Sequence, residues 1–489
     1  MQGETMYPMM KEIITEKDIR RQILLIEKLL NHSQLTAKEL AKSIHTTERT
    51  VFSDIQLIRS QLPDDWMIAS DSSGFKLFPA KNSLTTEIWE IFLSQSIGIQ
   101  ILKALFLTPE VSRHQLAQVT SVSVETLKRH INQINRRIKA YQVKIKLTKG
   151  VYKLTGKEST IRIFFHRLLL PYTYSNYFFK DYAIHEIHYY QFLKNIGQSD
   201  VKIETEHIFG MNWFFINTIR IKANCRINNF SYQKEDPLFS LYHLMLVALY
   251  QKEGIYLTDD EAFFSFFCFL ESWNYNNTYG KTLDDTIHTQ YPTLLKAASD
   301  FVARFASSGI LPELSRSKLS DNLFLLLLKY VESPKLSKQF QLDYQELINL
   351  RADHHQLLQK FGPELIQQLN PLAKIDDIGY LIHLISLLVQ QAIFQTHPIM
   401  MTAYFIFQGE PAWKDFLRQE ISDALGNRVK VIGIEPFDLK DVQYNTQDII
   451  ISNLLLETQP VPIHYISMLP TKNELNTLIE STRSQYLLI

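Results

Sequence analysis

Residues 36–59 of the chain read TAKELAKSIHTTERTVFSDIQLIR and predict two short helices joined by a tight turn. Thr36, followed three residues later by Glu39, has the pattern of a capping box, so the first helix begins here and ends near Ile44. The second helix has an apolar face, formed by Val51, Ile55 and Ile58. Because a further amphipathic helix over 17–30 precedes them, the segment has the helix-turn-helix pattern.

In this pattern the outward residues at the start of the second helix reach the edges of DNA bases, while nearby Arg, Thr and Ser contact phosphates. The residues that we assign to this role are Thr47, Arg49, Thr50 and Ser53. The segment Trp66–Pro79 alternates apolar and polar residues around the turn at 72–74. It therefore predicts a β-hairpin wing after the helices.

A second copy of the pattern follows. Residues 97–106 predict a helix, Ser112 caps the helix RHQLAQVT, and residues 121–123 form the turn before the long helix VETLKRHINQINRRIKAY at 124–141. Its apolar face consists of Val124, Leu127, Ile131, Ile134 and Ile138. The hairpin VKIKLTKGVYKLTGK, which turns at Gly150 with Val143, Ile145 and Leu147 on one face, predicts a second wing.

Ten Lys or Arg residues and no acidic residue lie between Lys128 and Lys157. A solvated helix face normally mixes both signs of charge, so this stretch is better explained by contact with phosphates. Residues 1–165 carry 24 basic and 16 acidic residues, and the remainder carries 27 and 35, which suggests a polyanion-binding arm on an acidic body. The predicted DNA contacts of the second copy are Ser123, Thr126, Lys128, Arg129, Asn132, Gln133, Arg136, Arg137, Lys144, Lys146 and Lys149.

Length and composition predict a multidomain cytoplasmic protein. The 489 residues exceed what one hydrophobic core serves, and 45% hydrophobic with 21% charged residues is ordinary for a folded chain. No export signal is apparent, and the apolar stretches 323–328 and 378–389 are too short to span a membrane. Only Cys225 and Cys268 are present, which suits a reducing compartment.

The segments LAKSIHTTERTVFSDI (40–55) and LAQVTSVSVETLKRHINQINRRI (116–138) resemble the two helix-turn-helix domains of Mga/AtxA-type transcriptional regulators of Gram-positive bacteria. The resemblance extends over the whole chain and implies a mainly α, multidomain fold. The implied domains are winged helix-turn-helix domains at 1–82 and 83–165, all-helical bundles like phosphotransferase regulation domains (PRDs) at 166–287 and 288–398, and an α/β domain like the IIB component of sugar phosphotransferase systems (EIIB) at 399–489.

The central region, rich in Leu, Phe and Tyr, independently predicts helix bundles. Acidic residues precede an apolar helix at both 257–270 and 375–388, which indicates a weak internal duplication. PRD-like domains imply histidines that are phosphorylated by a phosphocarrier of the phosphotransferase system. When the two repeats are aligned with the PRD signature, Cys268 and Leu384 occupy the positions at which that signature has a histidine. The phosphorylation candidates are His383, one residue from the second position, and His207 in IETEHIFGMNWFFINTIRI, with His185, His188, His354 and His355 ranked below them.

After Pro398 the pattern changes to alternating strands and helices, which predicts a mainly parallel sheet covered by helices. The strands are 402–409, 428–434, 448–454 and 461–467, and the helices are 412–426 and 473–486. An EIIB domain needs a cysteine in the loop after its first strand, but the loop at 408–411 is Gln-Gly-Glu-Pro. Phosphoryl relay is therefore not expected here, and we expect the domain to serve dimerisation or docking instead.

Three functions remain in competition. A DNA-binding transcription regulator, bound to double-stranded DNA as a homodimer, accounts for the tandem helix-turn-helix units and the charge split. The alternatives are an RNA-binding antiterminator and a component of the phosphotransferase system. The motifs GxxxxGK[ST], HExxH, CxxC and GxSxG are all absent from the sequence, so we predict no enzyme activity, no cofactor and no metal.

Overall fold

The computed structural model describes residues 6, 8–63, 66–78, 85–174, 176–179, 183–230, 235–307, 316–332, 367, 381–382, 384–385, 387–389, 391–392 and 401–486. These residues are mainly helical and form two compact units. Among the described residues, the first unit comprises those up to Tyr291 and contains both predicted helix-turn-helix segments. The second begins at Pro292 and contains the C-terminal α/β region.

The first unit begins with a winged-helix domain. Its elements are α1 (Pro8–Ile13), α2 (Lys17–Asn31), α3 (Ala37–Ser43), α4 (Glu48–Arg59), β1 (Met67–Asp71) and β2 (Gly74–Phe78). The predicted capping box is confirmed, because the Glu39 amide donates to Thr36 Oγ1 at 3.2 Å and the Thr36 amide donates to the Glu39 carboxylate at 2.8 Å. The predicted apolar face of α4 is buried. The backbone of Leu35 pairs with that of Phe75, which ties the start of α3 to the wing.

The second winged-helix domain follows with the same order of helices and hairpin strands and with one additional short strand. They are α5 (Thr85–Gln95), α6 (Ile97–Leu107), β3 (Val111–Ser112), α7 (Arg113–Val119), α8 (Val124–Arg137), β4 (Lys144–Thr148) and β5 (Val151–Thr155). The three strands form an antiparallel sheet in the order β3-β5-β4. The short strand β3 was not predicted. The prediction that α8 continues to Tyr141 was wrong, since the α-helix ends at Arg137 and a single 3₁₀ turn covers Ile138–Tyr141.

The two winged-helix domains repeat the same local features at a spacing of 76 residues. The matching pairs are the helix N-caps Thr36/Ser112 and Thr47/Ser123, the left-handed turn residues His45/Ser121 and the hairpin glycines Gly74/Gly150. The two glycines differ in their surroundings. A Cβ at Gly74 would lie 2.4 Å from the Leu35 carbonyl oxygen, whereas a Cβ at Gly150 would meet nothing within 4 Å. The chain therefore contains a duplicated domain whose first copy is packed more tightly at its wing.

A helical body completes the first unit. It comprises α9 (Glu158–Leu169), α10 (Asn176–Phe179), α11 (Ala183–Gly197), α12 (His207–Lys222), α13 (Pro237–Gln251), α14 (Asp259–Glu271) and α15 (Lys281–Gln290). In α9 every residue after Glu158 is buried, and the helix runs without a break across the predicted domain boundary between 165 and 166. Helices α12 and α14 are buried on nearly all sides, as expected for the centre of a bundle.

The second unit contains a helical pair and an α/β domain. The elements are α16 (Pro292–Ser307), α17 (Arg316–Glu332), β6 (Met401–Ile406), α18 (Pro411–Leu425), β7 (Val429–Gly433), β8 (Ile449–Ser452), β9 (Ile463–Tyr465) and α19 (Lys472–Tyr486). The sheet is parallel, in the order β7-β6-β8-β9. The alternation predicted after Pro398 is confirmed, including the end of α18 at Gly426, which has φ 77°.

Among the described residues, no single helix is both long and apolar enough to cross a membrane. The pair Ile88–Gln95 and Ile97–Leu107 passes the same test of length and composition only when taken together, and it is bent by 82°. This bend lies in the second winged-helix domain and is held by Glu16 of the first, whose carboxylate accepts hydrogen bonds from the Ser96 hydroxyl and the Ile97 amide.

Candidate nucleic-acid interface

Helix α8 is positioned by its N-terminal cap and its apolar face. Ser123 Oγ accepts a hydrogen bond from the Thr126 amide at 3.2 Å, and Ser121 at φ 54° makes the tight turn that precedes it. Leu127, Ile131 and Ile134 are buried and fix the rotation of the helix about its axis. The polar side of α8 must then face away from the domain core.

Most of the predicted contacts on α8 lie on this outer side. The exposed residues are Ser123, Lys128, Arg129, Asn132 and Arg136, and the half-buried ones are Thr126 and Gln133. Positions 128, 132 and 136 follow one another at intervals of four and so line one stripe of the helix. A stripe of this kind can enter the major groove of a DNA duplex.

The wing stands next to α8 because one side chain joins them. Asn135 Nδ2 donates to the Ile145 carbonyl at 2.9 Å, and the Ile145 amide donates to Asn135 Oδ1 at 2.7 Å. Lys144 and Lys146 alternate with the buried Ile145 on β4, and Lys149 lies at the hairpin tip, so all three lysines are exposed. The structure thereby brings the predicted wing lysines and the α8 stripe together.

Two residues of this surface are placed differently from what the sequence predicted. Arg137 does not point into solvent with its neighbours: its guanidinium donates to the carbonyl oxygens of Glu12 and Ile14 and is half-buried, and burial lowers its pKa. It holds the N-terminal segment against α8. Leu147 was predicted on the inner face of the wing, yet 45% of its surface is exposed, because β4 reaches past the domain core towards its tip.

The first domain presents a different surface. Thr47, Arg49 and Ser53 are exposed and Thr50 is half-buried, with Thr47 Oγ1 and Thr50 Oγ1 2.8 Å apart at the start of α4. Asp54 does not belong to this surface. It is buried, and its carboxylate accepts hydrogen bonds from Arg21 Nε at 2.5 Å and Arg21 Nη2 at 2.9 Å.

The wing of the first domain is attached at the position equivalent to Asn135. Arg59, which lies 76 residues before Asn135, donates from Nε to the Ile68 carbonyl at 2.9 Å and stacks over the Phe75 ring. Both domains therefore join the end of their second helix-turn-helix helix to their wing. In the first domain the donor of this hydrogen bond is the cationic side chain of Arg59, which is therefore held by contacts within the protein.

Sequence reasoning missed two exposed residues of this interface. Phe52 lies on the outer side of α4 with 52% of its surface exposed, and its ring packs edge-on against Phe75 at 5.4 Å. Arg113 is exposed at the start of α7, where its amide donates to the Gly150 carbonyl at the wing tip. Arg113 could have been found from the sequence, because a cation directly after a predicted N-cap lies outside the helix core.

The basic surplus of the N-terminal arm lies entirely in the second domain. Residues 1–82 contain 11 basic and 11 acidic residues, whereas residues 83–165 contain 13 and 5. The six exposed cations on α8 and β4–β5 lie within this second segment. The two domains have the same fold but very different net charges.

The phosphorylation candidates have unequal structural support. His207 is exposed as the first residue of α12, with its ring edge-on to Tyr190 at 6.0 Å. Cys268, at the position where a PRD-like domain has histidine, is a buried thiol whose pKa is raised well above its usual value by burial. His383 lies outside the described residues.

Two winged helix-turn-helix domains lie in tandem, and the second has a cationic helix and wing. This arrangement places the protein in the class of helix-turn-helix proteins. Residues 16–74 match the M protein trans-acting positive regulator (MGA) HTH domain, and residues 81–169 match the Mga helix-turn-helix domain. The resemblance to Mga/AtxA-type regulators is thereby confirmed, and the similar proteins described next are named as positive or trans-acting regulators of Gram-positive bacteria.

Three relatives show how far the similarity extends. A putative trans-acting regulator of Streptococcus pneumoniae serotype 4 is 28% identical over 32% of this chain and 31% of its own length. The capsule synthesis positive regulator AcpB of Bacillus anthracis is 27% identical over 32% of each chain. The anthrax toxin expression trans-acting positive regulator of Bacillus anthracis is 23% identical over 96% of this chain and 99% of its own. The chain thus spans about a third of the first two relatives and nearly all of the third.

One further match falls on the segment that was predicted as the second PRD-like domain. Residues 290–395 match a non-canonical single-stranded DNA-binding domain. Of this segment the structure describes α16, α17 and a few residues near its end. The sequence match therefore offers an alternative assignment for the region predicted as 288–398.

Proposed function

We propose that the chain is a DNA-binding transcription regulator that binds duplex DNA mainly through its second winged-helix domain. The observation that carries this proposal is the bond of Asn135 to the backbone of Ile145, which joins α8 to a wing with the same cationic character. The contacts to phosphates are assigned to Lys128, Arg129, Arg136, Lys144, Lys146 and Lys149. Ser123, Thr126, Asn132 and Gln133 are placed to approach base edges. Arg137 is left out of this set because it binds the N-terminal segment.

The first domain adds sequence-dependent contacts in this proposal. Thr47, Arg49, Thr50 and Ser53 surround the start of α4, and Phe52 offers an apolar surface beside them. An exposed aromatic ring on such a helix suits contact with the methyl group of thymine. With no net charge over residues 1–82, this domain contributes selectivity more than affinity.

Binding of duplex DNA, single-stranded DNA and RNA of the same random sequence, measured by gel shift over a salt series, tests the proposal. We expect the duplex to bind most tightly, with an affinity that falls by roughly 10³-fold or more between 50 and 200 mM salt if six phosphates are contacted. Equal or tighter binding of RNA would instead support the antiterminator. Tighter binding of the single strand would support a second candidate function, favoured by the match of residues 290–395, in which that segment holds an opened DNA strand.

The helical body is proposed to regulate DNA binding as a PRD-like domain. The exposure of His207 at the start of α12 supports phosphorylation of this residue by a phosphotransferase-system phosphocarrier. Phosphorylation adds close to two negative charges and can reorganise a helix contact. His383 stays a second candidate on the sequence resemblance.

The C-terminal α/β domain is proposed to be EIIB-like and to mediate homodimerisation. The loop between β6 and α18 contains no cysteine, so it offers no thiol for phosphoryl relay. A cluster of apolar side chains is exposed beside this loop: the Phe416 ring stacks on Trp413 at 5.7 Å, Trp413 Nε1 donates to the Met468 carbonyl, and Leu469 is 72% exposed. Exposed apolar clusters commonly mark protein interfaces.

Light scattering of the full chain carrying Phe416→Lys and Leu469→Lys tests this interface. We expect the double variant to be monomeric at a concentration where the unchanged chain is dimeric, because two charges would be buried without partners. The matched control is Leu244→Lys with Tyr256→Lys, which changes two residues of the helical body that are 77% and 79% exposed. Dimers of undiminished stability in the first variant would contradict the proposal.

A further inference from the structure

The segment that precedes α2 belongs to the first winged-helix domain by its position in the sequence, but it packs against the second. We call residues 9–16 the strap. Its apolar side chains Met9, Met10, Ile13 and Ile14 are all buried, and it leads directly into α2 at Lys17. Burial of four large apolar side chains holds a segment in one place far more firmly than the chain connection alone.

The strap fits closely against the N-terminus of α6 in the second domain. Ser96, the N-cap residue of α6, makes no cap with its own side chain. Instead Glu16 Oε1 accepts a hydrogen bond from the Ile97 amide at 2.6 Å, and Glu16 Oε2 accepts one from Ser96 Oγ at 3.1 Å. A carboxylate at this position satisfies the free amide groups of a helix start. The backbones are equally close, because a Cβ added at Gly98 would overlap the Ile13 carbonyl oxygen.

The strap also contacts α8, the helix that carries most of the proposed DNA contacts. The Arg137 guanidinium donates to the carbonyl oxygens of Glu12 and Ile14. Thr15 Oγ1 lies 2.6 Å from Nδ1 of His130, whose side chain is buried in the same helix. These two points of attachment are seven residues apart, which is about 10 Å along the helix axis. They therefore fix the direction of α8 relative to the strap.

On its other side the strap is connected to α4, the corresponding helix of the first domain. Lys11 Nζ lies 2.6 Å from Glu27 Oε1 on α2. Helix α2 in turn holds α4, because Arg21 donates to the Asp54 carboxylate from Nε at 2.5 Å and from Nη2 at 2.9 Å. The Asp54 side chain is only 3% exposed, so water does not compete for this two-fold contact. Buried contacts thus connect α4 and α8 through α2 and the strap.

The other connections between the two domains are weaker. The chain passes from Phe78 at the end of β2 to Thr85 at the start of α5 through the six residues 79–84, which can span at most about 20 Å. Beside it, Gln95 Nε2 donates to Gln61 Oε1 at 3.2 Å in an exposed hydrogen bond. One short linker and one exposed hydrogen bond permit many relative orientations of the domains, whereas the strap selects a single one.

We propose that the strap sets the distance and the orientation between α4 and α8, so that the chain binds one composite DNA site whose two elements have a fixed spacing. Glu16 and Gly98 are the positioning residues: Glu16 caps α6, and Gly98 leaves room for the strap. The inference rests on the proposed function, since it requires both domains to contact the same duplex. One base pair inserted between the elements separates them by about 3.4 Å and rotates them by about 35°, which a rigid pair of domains cannot follow.

Selection of duplexes from a random library by the full chain, followed by insertion of two base pairs between the selected elements, tests the spacing. We expect the unchanged chain to select two elements at a single spacing. It should bind the lengthened duplex about tenfold more weakly or worse, because one domain loses its contacts. Gly98→Ala should bind the selected duplex about threefold more weakly than the unchanged chain, and it should lose no more than about threefold on lengthening.

The Gly98→Ala variant displaces the strap without weakening α6, since alanine is a better helix former than glycine. Its matched control is Gly197→Ala at the end of α11, where an added Cβ meets nothing within 4 Å, and this control should behave like the unchanged chain. Glu16→Ala is a second way to release the strap, because it removes the carboxylate that caps α6. Hydrogen exchange of residues 9–16 in the free chain measures the release, which we expect to be about tenfold faster in both variants than in the control.

Three results would overturn the inference. One is selection of a single element, or of two elements at variable spacing, by the unchanged chain; this result leaves the proposed function standing. Another is exchange of the strap in both variants at the rate of the control, since Glu16 and Gly98 then do not hold it. The third is a strict spacing in a variant whose strap is released. If the unchanged chain selects no duplex at all, the proposed function fails, and the exchange rates still decide whether Glu16 and Gly98 hold the strap.

Discussion

We expect a chain with Lys128, Arg129 and Arg136 all changed to Gln to bind duplex DNA roughly 100-fold more weakly at 150 mM salt than the unchanged chain. These cations are exposed on the outer side of α8, and their helix is fixed by buried residues, so their replacement removes the proposed phosphate contacts without disturbing the domain core. Removing one phosphate contact should reduce the slope of log affinity against log salt by about 0.9, and removing three should reduce it by about 2.7.

The slope distinguishes the removal of phosphate contacts from a change in overall charge. The matched control changes Lys430, Lys440 and Lys472, three exposed lysines of the C-terminal α/β domain, to Gln. It removes the same charge, and we expect its affinity and its slope to stay close to those of the unchanged chain. If both triple variants lose affinity equally, α8 is not the DNA-contacting element. Arg137 is unsuitable for this test, because its substitution would also release the N-terminal segment.

Local signals made the winged-helix domains predictable. Thr36 with Glu39, and Ser112 with Gln115, form capping boxes within four residues, and Gly74 and Gly150 mark hairpin turns. Each of these features depends on residues that are close together in the sequence. The exposed side of α8 was also predicted correctly, because the period of an amphipathic helix fixes which of its sides is buried.

The errors arose where the partner is distant in sequence. Arg137 binds carbonyl groups more than 120 residues before it, and Asp54 is buried by Arg21, 33 residues away. Arg137 was predicted to face solvent and the position of Asp54 was not predicted, since periodicity reports the average polarity of a face and says nothing about a specific distant partner.

In the helical body, periodicity carries little information because the central helices are buried on nearly all sides. In α14 the residues from Glu261 to Leu270 are all buried, so the phenylalanines around Cys268 do not indicate which side faces the core. The sequence predicted a bundle correctly from composition. It could not predict that the body is organised around a buried ion pair between Arg162 and Glu261.

That ion pair leads to the second large effect. Arg162 Nη1 lies 2.6 Å from Glu261 Oε2 and Nη2 lies 2.8 Å from Oε1, and both side chains are fully buried. Arg162 also donates to the Cys225 carbonyl, and the Ile227 amide donates to Glu261. The pair thus joins α9, α14 and the segment that follows α12. Removing this carboxylate leaves the buried guanidinium with only the longer contact from Nε to Glu158 Oε1 at 3.3 Å, so Glu261→Ala should destabilise the body by about 3 kcal/mol.

Hydrogen exchange of peptides from α9, α12 and α14 measures this effect in the helical body itself, which avoids treating a multidomain chain as a single unfolding unit. The matched control is Glu110→Ala, which removes the exposed partner of Lys153 at 3.5 Å and should change stability by less than about 1 kcal/mol.

A double variant, Arg162→Met with Glu261→Leu, should recover a large part of the stability, because it removes both charges and keeps apolar volume. If the single and double variants are equally destabilised, the cost comes from packing, and if Glu261→Ala matches the Glu110→Ala control, the pair does not stabilise the body. Since α9 leads directly from the second wing into this body, reduced protection in α9 would also show that the ion pair supports the attachment of the second winged-helix domain.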